Sequence, residues 1–259
     1  MSDEILLTQQ KEGVLTLTLN RPKANAFNSD LIKALRDALK QSGRNDATRV
    51  VLLTAKGDIF SAGQDVKEFG KDGHVSFRKH LQKTYNPLIL TMRKLEKPVL
   101  CAINGAVAGA ALGIVLASDL RIASEEASFF VGFGGIGLAP DSGVSLMLPT
   151  IIGLGRATEA AFFNSPINAQ QALDWGLANR LAPHAELGAA AAAWATELAA
   201  GPVRAMGFAK RAFNKAHLHN LEALLDYEAH IQEVAGQGPD HKEGLAAFLD
   251  KRKPDFMKP

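Results

Sequence analysis

The feature that most constrains the fold is an almost entirely apolar stretch at residues 98–119. Its first part, Val99–Ile103, has the continuous apolar pattern of a buried strand, and Asn104 and Gly105 then break the chain. Gly109–Ala111 has no side chain larger than a methyl group and precedes an apolar helix. Small residues at a helix start allow another backbone or a ligand to come close, and the first N–H groups lack intrahelical partners. The stretch predicts either a tightly packed buried helix or a helix start that holds a developing negative oxygen.

A second apolar strand followed by small residues lies within residues 51–65. Its loop, Ser61–Asp65, has the sequence Ser-Ala-Gly-Gln-Asp. Two strands that each end in a small-residue loop can supply two converging N–H donors. This second loop favours an oxygen-binding site over simple helix packing.

The chain alternates between strand and helix patterns up to about residue 183 and is helical afterwards. We predict an α/β protein with a core at residues 1–186 and a C-terminal helical region at residues 187–259. Residues 66–76 are charged and contain glycine, which indicates a loop beside a site. Phe77–Leu95 carries one continuous helical pattern.

Composition excludes several classes of protein. A formal charge of +2 with dispersed basic residues argues against a nucleic-acid partner. Asn104 and the glycines in the longest apolar stretch favour a core element over a membrane span. The seven histidines do not have metal-ligand spacing, and Cys101 is the only cysteine, so we expect neither a metal nor a disulfide. The first residues lack a basic segment followed by an apolar run, so we expect a cytoplasmic protein.

Three motifs show a resemblance to a known family: Asn20-Arg-Pro-Lys-Ala-Asn-Ala-Phe-Asn28, Phe60-Ser-Ala-Gly-Gln-Asp65, and Asn104-Gly-Ala-Val-Ala-Gly-Ala-Ala111 followed by Ser118-Asp119. In order and spacing, the chain resembles the crotonase superfamily, the enoyl-CoA hydratase/isomerase family. The resemblance implies a crotonase-like spiral of strand–strand–helix repeats with a C-terminal helical oligomerisation region. It also implies a homotrimer or a hexamer, and no single reaction, since the family hosts many.

The resemblance further implies an acyl-CoA thioester substrate. Its carbonyl oxygen is expected to bind the backbone N–H groups of Gln64 and Ala110, which then stabilise an enolate. Coenzyme A is part of this substrate, so no separate cofactor is expected. The residues expected to contact coenzyme A are Lys23 at a phosphate, the backbone of Ala24, Ala26, Ala62, Asp65 and Val66 at the adenine, and the late pair Phe248 and Lys251, which often serves a neighbouring subunit.

The acid/base group is the point at which the chain departs from the family's hydratases. Their two glutamates align with Gly113 and Phe133, so both carboxylates are absent. Asp141 lies where isomerases of the phenylacetate-pathway type carry a single carboxylate, and an apolar wall that includes Phe133 would raise its pKa. The alternative for Asp141 is structural, because Pro-Asp-Ser-Gly before a helix is also typical of a turn and an N-cap.

The predicted function is therefore an enoyl-CoA isomerase with Asp141 as its single acid/base. A dehalogenase branch of the family places a histidine and a tryptophan where this chain has Asn86 and Phe133, so dehalogenation is disfavoured. Phe133, Gly113 and Asn86 are the predicted substrate-pocket residues. The alternatives are a hydratase or another crotonase-type reaction, and a non-catalytic acyl-CoA-binding protein.

Overall fold

The structure is a computed structural model that describes residues 4–69 and 76–257. The strands are β1 (Leu6–Lys11), β2 (Val14–Leu19), β3 (Val50–Ala55), β4 (Ile59–Ser61), β5 (Val99–Ile103), β6 (Ala106–Ala108), β7 (Leu120–Ser124), β8 (Ser128–Phe130), β9 (Ile167–Asn168) and β10 (Arg180–Ala182). The helices are α1 (Ser29–Arg44), α2 (Phe77–Lys83), α3 (Tyr85–Lys94), α4 (Ala110–Ala117), α5 (Val144–Ile152), α6 (Leu154–Phe163), α7 (Ala169–Asp174), α8 (Leu187–Ala200), α9 (Val203–His217), α10 (Leu221–Gly236) and α11 (Pro239–Leu249).

The strands form two sheets, and successive strands from β3 to β8 alternate between them. One sheet has the order β1-β2-β3-β5-β7-β10 and the other has the order β4-β6-β8-β9. Each of the consecutive pairs β3–β4, β5–β6 and β7–β8 gives its first strand to the larger sheet and its second to the smaller one. Pairing is parallel apart from β1 with β2 and β8 with β9. The predicted α/β spiral of strand–strand–helix repeats is confirmed.

The apolar stretch singled out in the sequence lies at the centre of this spiral. All five residues of β5 and all eight residues of α4 are buried. The alanines and the glycine of α4 have small side chains, so neighbouring elements can pack closely against all faces of the helix. The central helix is thus tightly packed, and its first residue lies at a cavity. That this helix start holds a negative oxygen stays a prediction.

The C-terminal helices serve two different surfaces. Helix α8 buries Leu187, Trp194 and Ala195 in a second apolar cluster against one face of the larger sheet. Helix α10 instead buries Leu221 and Leu225 in the main core. The division of the chain at residues 186 and 187 stays a prediction.

The predicted single helix Phe77–Leu95 is wrong: it is two helices, α2 and α3, that meet at Thr84. Pro87 explains the break, because proline has no N–H to donate to the carbonyl of Lys83 and its ring crowds that carbonyl. Of the loop predicted at 66–76, Val66–Phe69 forms a 3-10 turn, and residues 70–75 lie outside the described residues. In the described ranges, no helix combines the length and the apolar character needed to cross a bilayer.

Candidate active site

A cavity of about 330 Å³ lies where the ends of β4, β6 and β8 meet helices α2, α3, α10 and α11. Its walls are largely apolar and rich in rings. The aromatic residues that line it are Phe77, Tyr85, Phe130, Phe133 and Phe248. The polar residues that line it are Gln64, His80, Asp141, Asn164, Gln232 and His241. An apolar cavity with a few polar groups is the usual form of a small-molecule site.

The two predicted oxyanion donors face this cavity from adjacent loops. Gln64 forms a parallel bridge with Phe27, in which the neighbouring groups pair: Phe27 N–H donates to Gly63 O, and Asp65 N–H donates to Phe27 O. The N–H of Gln64 itself therefore points away from Phe27. Ala110 is the first residue of α4, so its N–H has no intrahelical partner.

Gly63 keeps the two donor loops close together. Its φ is +88°, and a Cβ built there would lie 2.7 Å from the carbonyl oxygen of Ala108 and 3.7 Å from the nitrogen of Ala110. Only glycine combines this backbone conformation with such a close approach. The loop that carries Gln64 therefore lies against the start of α4 at Gly63.

The side chain of Gln64 is held by its own set of hydrogen bonds. Its Oε1 accepts from the Tyr85 hydroxyl at 2.8 Å and lies 3.1 Å from Nε2 of His80. Because an amide oxygen only accepts, His80 Nε2 carries the proton. The Nε2 of Gln64 donates to Glu68 at 3.2 Å. Burial raises the pKa of Tyr85 and lowers the pKa of His80, so both are neutral donors near pH 7.

Asp141 lies on the opposite wall with its carboxylate buried. It is 6% exposed, and its two oxygens accept from the Ser142 hydroxyl and the Gln232 amide, each at 2.7 Å. Helix α5 has Gly143 as its N-cap and no side-chain cap hydrogen bond. Asp141 is therefore not the N-cap, although the turn that the sequence predicts is present, since Val144 N–H donates to the carbonyl oxygen of Asp141 at 3.0 Å.

The environment of Asp141 raises the pKa of its carboxyl toward neutral pH. Burial is the main cause and raises the pKa of Asp141 to about 6, although the hydrogen bonds from Gln232 and Ser142 act in the opposite direction. Removing water from a carboxylate disfavours its charged form, whereas donors favour it. A group with this pKa can both accept and return a proton near pH 7.

A second buried carboxylate, Glu228 on α10, takes the capping role instead. Its oxygens accept from Gly143 N–H at 2.7 Å, from Ser145 N–H at 3.1 Å and from the Ser145 hydroxyl at 2.5 Å. Burial raises the pKa of Glu228 to about 7, and the charge of Asp141 adds to the effect. Glu228 is outside the cavity lining, so it supports the segment that carries Asp141.

Of the three predicted pocket residues, only Phe133 lines the cavity. Gly113 instead packs against the Asp141 segment: a Cβ built there would lie 2.5 Å from the carbonyl oxygen of Ser142. Asn86 donates from its side chain to the carbonyl of Leu225 at 3.0 Å and so joins α3 to α10. The prediction that Gly113 and Asn86 line the pocket is corrected, because each serves a contact between elements.

Six of the eight predicted coenzyme A residues fall in two paired segments, residues 21–28 and 61–66. Lys23, Ala24 and Asn25 all have positive φ, at 63°, 69° and 48°. Three successive non-glycine residues in this region are strained and need outside support. Asn25 supplies it by donating to Lys56 O at 3.0 Å and Ile59 O at 2.9 Å.

The two segments are also joined directly. Ala62 N–H donates to Ala24 O at 3.0 Å, and Arg21 forms an ion pair with Asp65 at 2.6 Å while donating to Ala26 O at 2.9 Å. Ala62 and Val66 line the main cavity, and Lys23 and Ala24 line a neighbouring cleft of about 340 Å³. Phe248 reaches the main cavity from α11 of the same chain, and Lys251 is exposed just beyond that helix.

The sequence interpretation missed four residues that shape the site: Tyr85, His80, Glu228 and Gln232. For the last two a signal exists, because Leu221, Leu225, Glu228 and Gln232 follow a spacing of four, three and four residues on α10. Polar residues on an otherwise apolar helix stripe indicate buried hydrogen-bonded groups. For Tyr85 and His80 we find no equivalent signal.

The chain was compared with known proteins. Residues 9–259 match the family model described as enoyl-CoA hydratase/isomerase. A 1,2-epoxyphenylacetyl-CoA isomerase of Escherichia coli (strain K12) is 38% identical over 257 residues, which cover 98% of both chains. A probable enoyl-CoA hydratase of Rhodobacter capsulatus is 37% identical over 257 residues, covering 99% of both chains.

Solved structures agree with this fold. The crystal structure of an enoyl-CoA hydratase from Mycobacterium avium subsp. paratuberculosis K-10 has a TM-score of 0.88 at 31% identity and 98% coverage of both chains. That of an enoyl-CoA hydratase/isomerase from Pseudoalteromonas atlantica T6c has a TM-score of 0.89 at 31% identity, covering 98% of this chain and all of the other. The chain therefore belongs to the enoyl-CoA hydratase/isomerase family, the crotonase superfamily.

Proposed function

We propose that the protein is an acyl-CoA isomerase that shifts the double bond of an enoyl-CoA thioester with Asp141 as its single acid/base. One observation carries the proposal. Among the described residues that line the cavity, Asp141 is the only carboxylate, and it faces the same space as Gln64 and Ala110. One carboxylate is sufficient for an isomerase, because the group that removes a proton can also return it.

The proposed reaction has two proton transfers. The thioester oxygen accepts hydrogen bonds from the N–H groups of Gln64 and Ala110. Asp141 then removes a proton from C2 of a 3-enoyl-CoA, and the electrons of the broken C–H bond pass into a dienolate. The two donors stabilise the oxygen as its charge grows, which lowers the barrier. Asp141 finally returns a proton at C4, and the double bond moves to C2–C3.

Hydration of an enoyl-CoA is the nearest rival within the family. It requires a water that is held and polarised while a proton reaches the α-carbon, which the family's hydratases achieve with two carboxylates. Here those positions are Gly113, packed against Ser142, and Phe133, a ring on the cavity wall. Glu228 is occupied by Gly143 and Ser145. These contacts favour the isomerase.

A second candidate reaction is the isomerisation of a ring epoxide carried on coenzyme A. The relative from Escherichia coli, a 1,2-epoxyphenylacetyl-CoA isomerase, supports it by its 38% identity. The rings on the cavity wall fit a cyclic acyl group, since aromatic side chains pack well against flat apolar substrates. The same oxyanion donors and Asp141 would serve this substrate.

We also propose that Lys23, Ala24, Ala26, Ala62, Asp65 and Val66 hold coenzyme A, with Phe248 and Lys251 at its other side. The strained turn at Lys23–Asn25 and its pairing with Ala62 support a preformed binding edge.

A homotrimer or hexamer is part of the proposal. Phe162 and Phe163 on α6 are 81% and 77% exposed, which is typical of a surface that a second chain covers. Native mass spectrometry tests the assembly, and a monomer would contradict it.

Deuterium exchange at C2 and C4 of a 3-enoyl-CoA tests the reaction, with wild type and Asp141→Asn compared side by side. We expect exchange and double-bond migration in the wild type. In the variant we expect a loss of about 10³-fold or more, because the proton acceptor is gone. Binding of the thioester, measured by calorimetry, should persist in both proteins.

Three other results have clear meanings. Tight binding without exchange in the wild type would favour a non-catalytic acyl-CoA-binding protein. Conversion of a 2-enoyl-CoA to a hydroxyacyl-CoA would favour a hydratase. Turnover of 1,2-epoxyphenylacetyl-CoA, lost in Asp141→Asn, would support the second candidate reaction.

A further inference from the structure

Two polar side chains lie within the apolar face of α10, a helix of the C-terminal region. Leu221, Leu225 and Ala229 on this face are buried in the core, and so are Glu228 at 3% exposure and Gln232 at 1%. A buried amide costs free energy unless hydrogen bonds satisfy it. Both of these side chains reach the segment that carries Asp141.

Gln232 makes two hydrogen bonds that span this segment. Its Oε1 accepts from Ala139 N–H at 3.3 Å, and its Nε2 donates to Oδ2 of Asp141 at 2.7 Å. Pro140, between them, has no N–H to offer. One amide group therefore fixes both the backbone before Asp141 and the carboxylate itself.

The other oxygen of Asp141 is held from a different side. Oδ1 accepts from the Ser142 hydroxyl, and Ser142 is fully buried and outside the cavity lining. Gln232 and Asp141 both line the cavity. Oδ2 is thus the oxygen whose hydrogen-bond partner, Gln232, lines the cavity.

We infer that Gln232 is a positioning residue that orients Oδ2 of Asp141 for proton transfer and sets the acidity of this carboxyl. The inference deepens the proposed function and rests on it. A carboxylate on a freely rotating side chain is in the productive orientation for only part of the time. A misplacement of about 1 Å can lower the rate about 100-fold. Two donors on two oxygens remove that rotation.

The direction of the acidity effect follows from the charges. A donor stabilises the ionised carboxylate, so removing the Gln232 amide should raise the pKa of Asp141 further. The titratable groups around it are Glu228 on α10, Tyr85 on α3, and His80 and His241 on the cavity wall. Replacement of Gln232 leaves all four in place.

The test compares Gln232→Met and Gln232→Glu with a matched control, Gln237→Met. Methionine keeps the length of the side chain and removes the donor, while glutamate keeps the shape and adds a second acid. Gln237 is the C-cap of the same helix, is exposed, and donates from its side chain to Glu233 at 3.4 Å. The readouts are the rate of C2 exchange against pH and the infrared carbonyl band of protonated Asp141, isolated by subtraction of Asp141→Asn.

For Gln232→Met we expect kcat to fall about 10- to 100-fold with KM changed by less than about threefold. Activity requires ionised Asp141. The pH at which activity reaches half of its maximum should therefore be higher in the variant by about one pH unit. In Gln232→Glu the shift should be larger, since two neighbouring carboxyls resist ionising together. The control should match the wild type in rate and pH profile.

The outcomes separate this inference from the proposed function. Wild-type rate, pH profile and infrared titration in Gln232→Met would overturn the positioning role. Exchange that survives in Asp141→Asn would overturn the proposed function instead, and the infrared titration would still show whether Gln232 sets the acidity of Asp141. If Gln232→Met does not fold, Gln232→Glu decides on the same readouts.

Discussion

The two walls of the cavity are built in opposite ways. The wall that we propose binds the oxyanion (the oxyanion wall) is formed by the loop of Gln64 and the start of α4, and it presents backbone N–H groups that the sheets and a glycine contact hold in place. The wall that we propose carries the acid/base (the acid/base wall) is formed by residues 138–145 and α10, and it presents a side chain that other side chains hold in place. One wall depends on how closely two backbone segments approach each other, and the other depends on residues that lie 83 to 93 positions later in the chain.

The sharpest test of the oxyanion wall is to remove one backbone donor. Ala110→Pro deletes the N–H at the first helical position, where proline is tolerated by an α-helix. We expect kcat to fall about 10²- to 10³-fold, as for other oxyanion donors. Steady-state kinetics of the isomerisation give the value.

Ala110→Gly is the matched control because it keeps the N–H. It should lose no more than about fivefold, the effect of about 1 kcal/mol from a glycine in a helix. Both variants should keep the wild-type dependence on pH, because Asp141 is unchanged. Equal losses in the two variants would show that the side chain, and not the N–H group, matters at this position.

The acid/base wall predicts a dependence of stability on pH. Burial raises the pKa of Glu228 to about 7 from an ordinary 4.5, so its contribution to stability is complete below pH 4.5 and is lost as pH rises through 7. Glu228→Gln should remove that slope. Between pH 5 and 8, we expect the free energy of unfolding of the wild type to fall by about 2 kcal/mol more than that of the variant.

Urea unfolding across this pH range measures the slope. Asp141 contributes in the same direction, with a pKa raised to about 6, so Asp141→Asn is the companion variant. Parallel slopes in wild type and Glu228→Gln would mean that Glu228 titrates normally and that the wall is less buried than the structure shows.

The smallest expected effect belongs to the side chain that supports the oxyanion wall. Tyr85→Phe removes the hydrogen bond to Oε1 of Gln64, whereas His80 keeps its own. One neutral hydrogen bond corresponds to about a three- to tenfold fall in kcat/KM. The chain's other tyrosine, Tyr227, is 59% exposed and supplies the matched control, Tyr227→Phe.

A loss in Tyr85→Phe as large as that in Ala110→Pro would break the comparison between the walls. It would mean that the Tyr85 hydroxyl works on the substrate directly. A loss below about twofold would mean that the sheet bridge alone holds the Gln64 loop.

The oxyanion wall could be predicted from the sequence because its signals are local. Strand patterns, the small residues at 61–63 and 109–111, and their spacing are enough to place two N–H groups at strand ends. The same patterns predict alternating strands and helices, whereas the spiral arrangement was implied by the family resemblance. The break at Thr84 was missed although Pro87 signals it, since the apolar period of the helix continues across the break.

The acid/base wall could be predicted only in part. The family resemblance identifies Asp141 by its position in the chain. The residues that hold its segment in place, Glu228 and Gln232, are distant in sequence and come close only when the chain packs. The family resemblance predicts Gly113 and Asn86 in the pocket, whereas the structure uses both for contacts between elements. Glu228 and Gln232 were hidden in a helix whose apolar stripe suggested only association.

The contact at Gly113 limits which reactions this lineage can reach in one step. A Cβ there would lie 2.5 Å from the carbonyl oxygen and 2.6 Å from the Cβ of Ser142. A glutamate at this position is therefore incompatible with the present position of the Asp141 segment. Chemistry that uses two carboxylates would require the backbone at Ser142 to move, and that movement would displace the neighbouring carboxylate of Asp141.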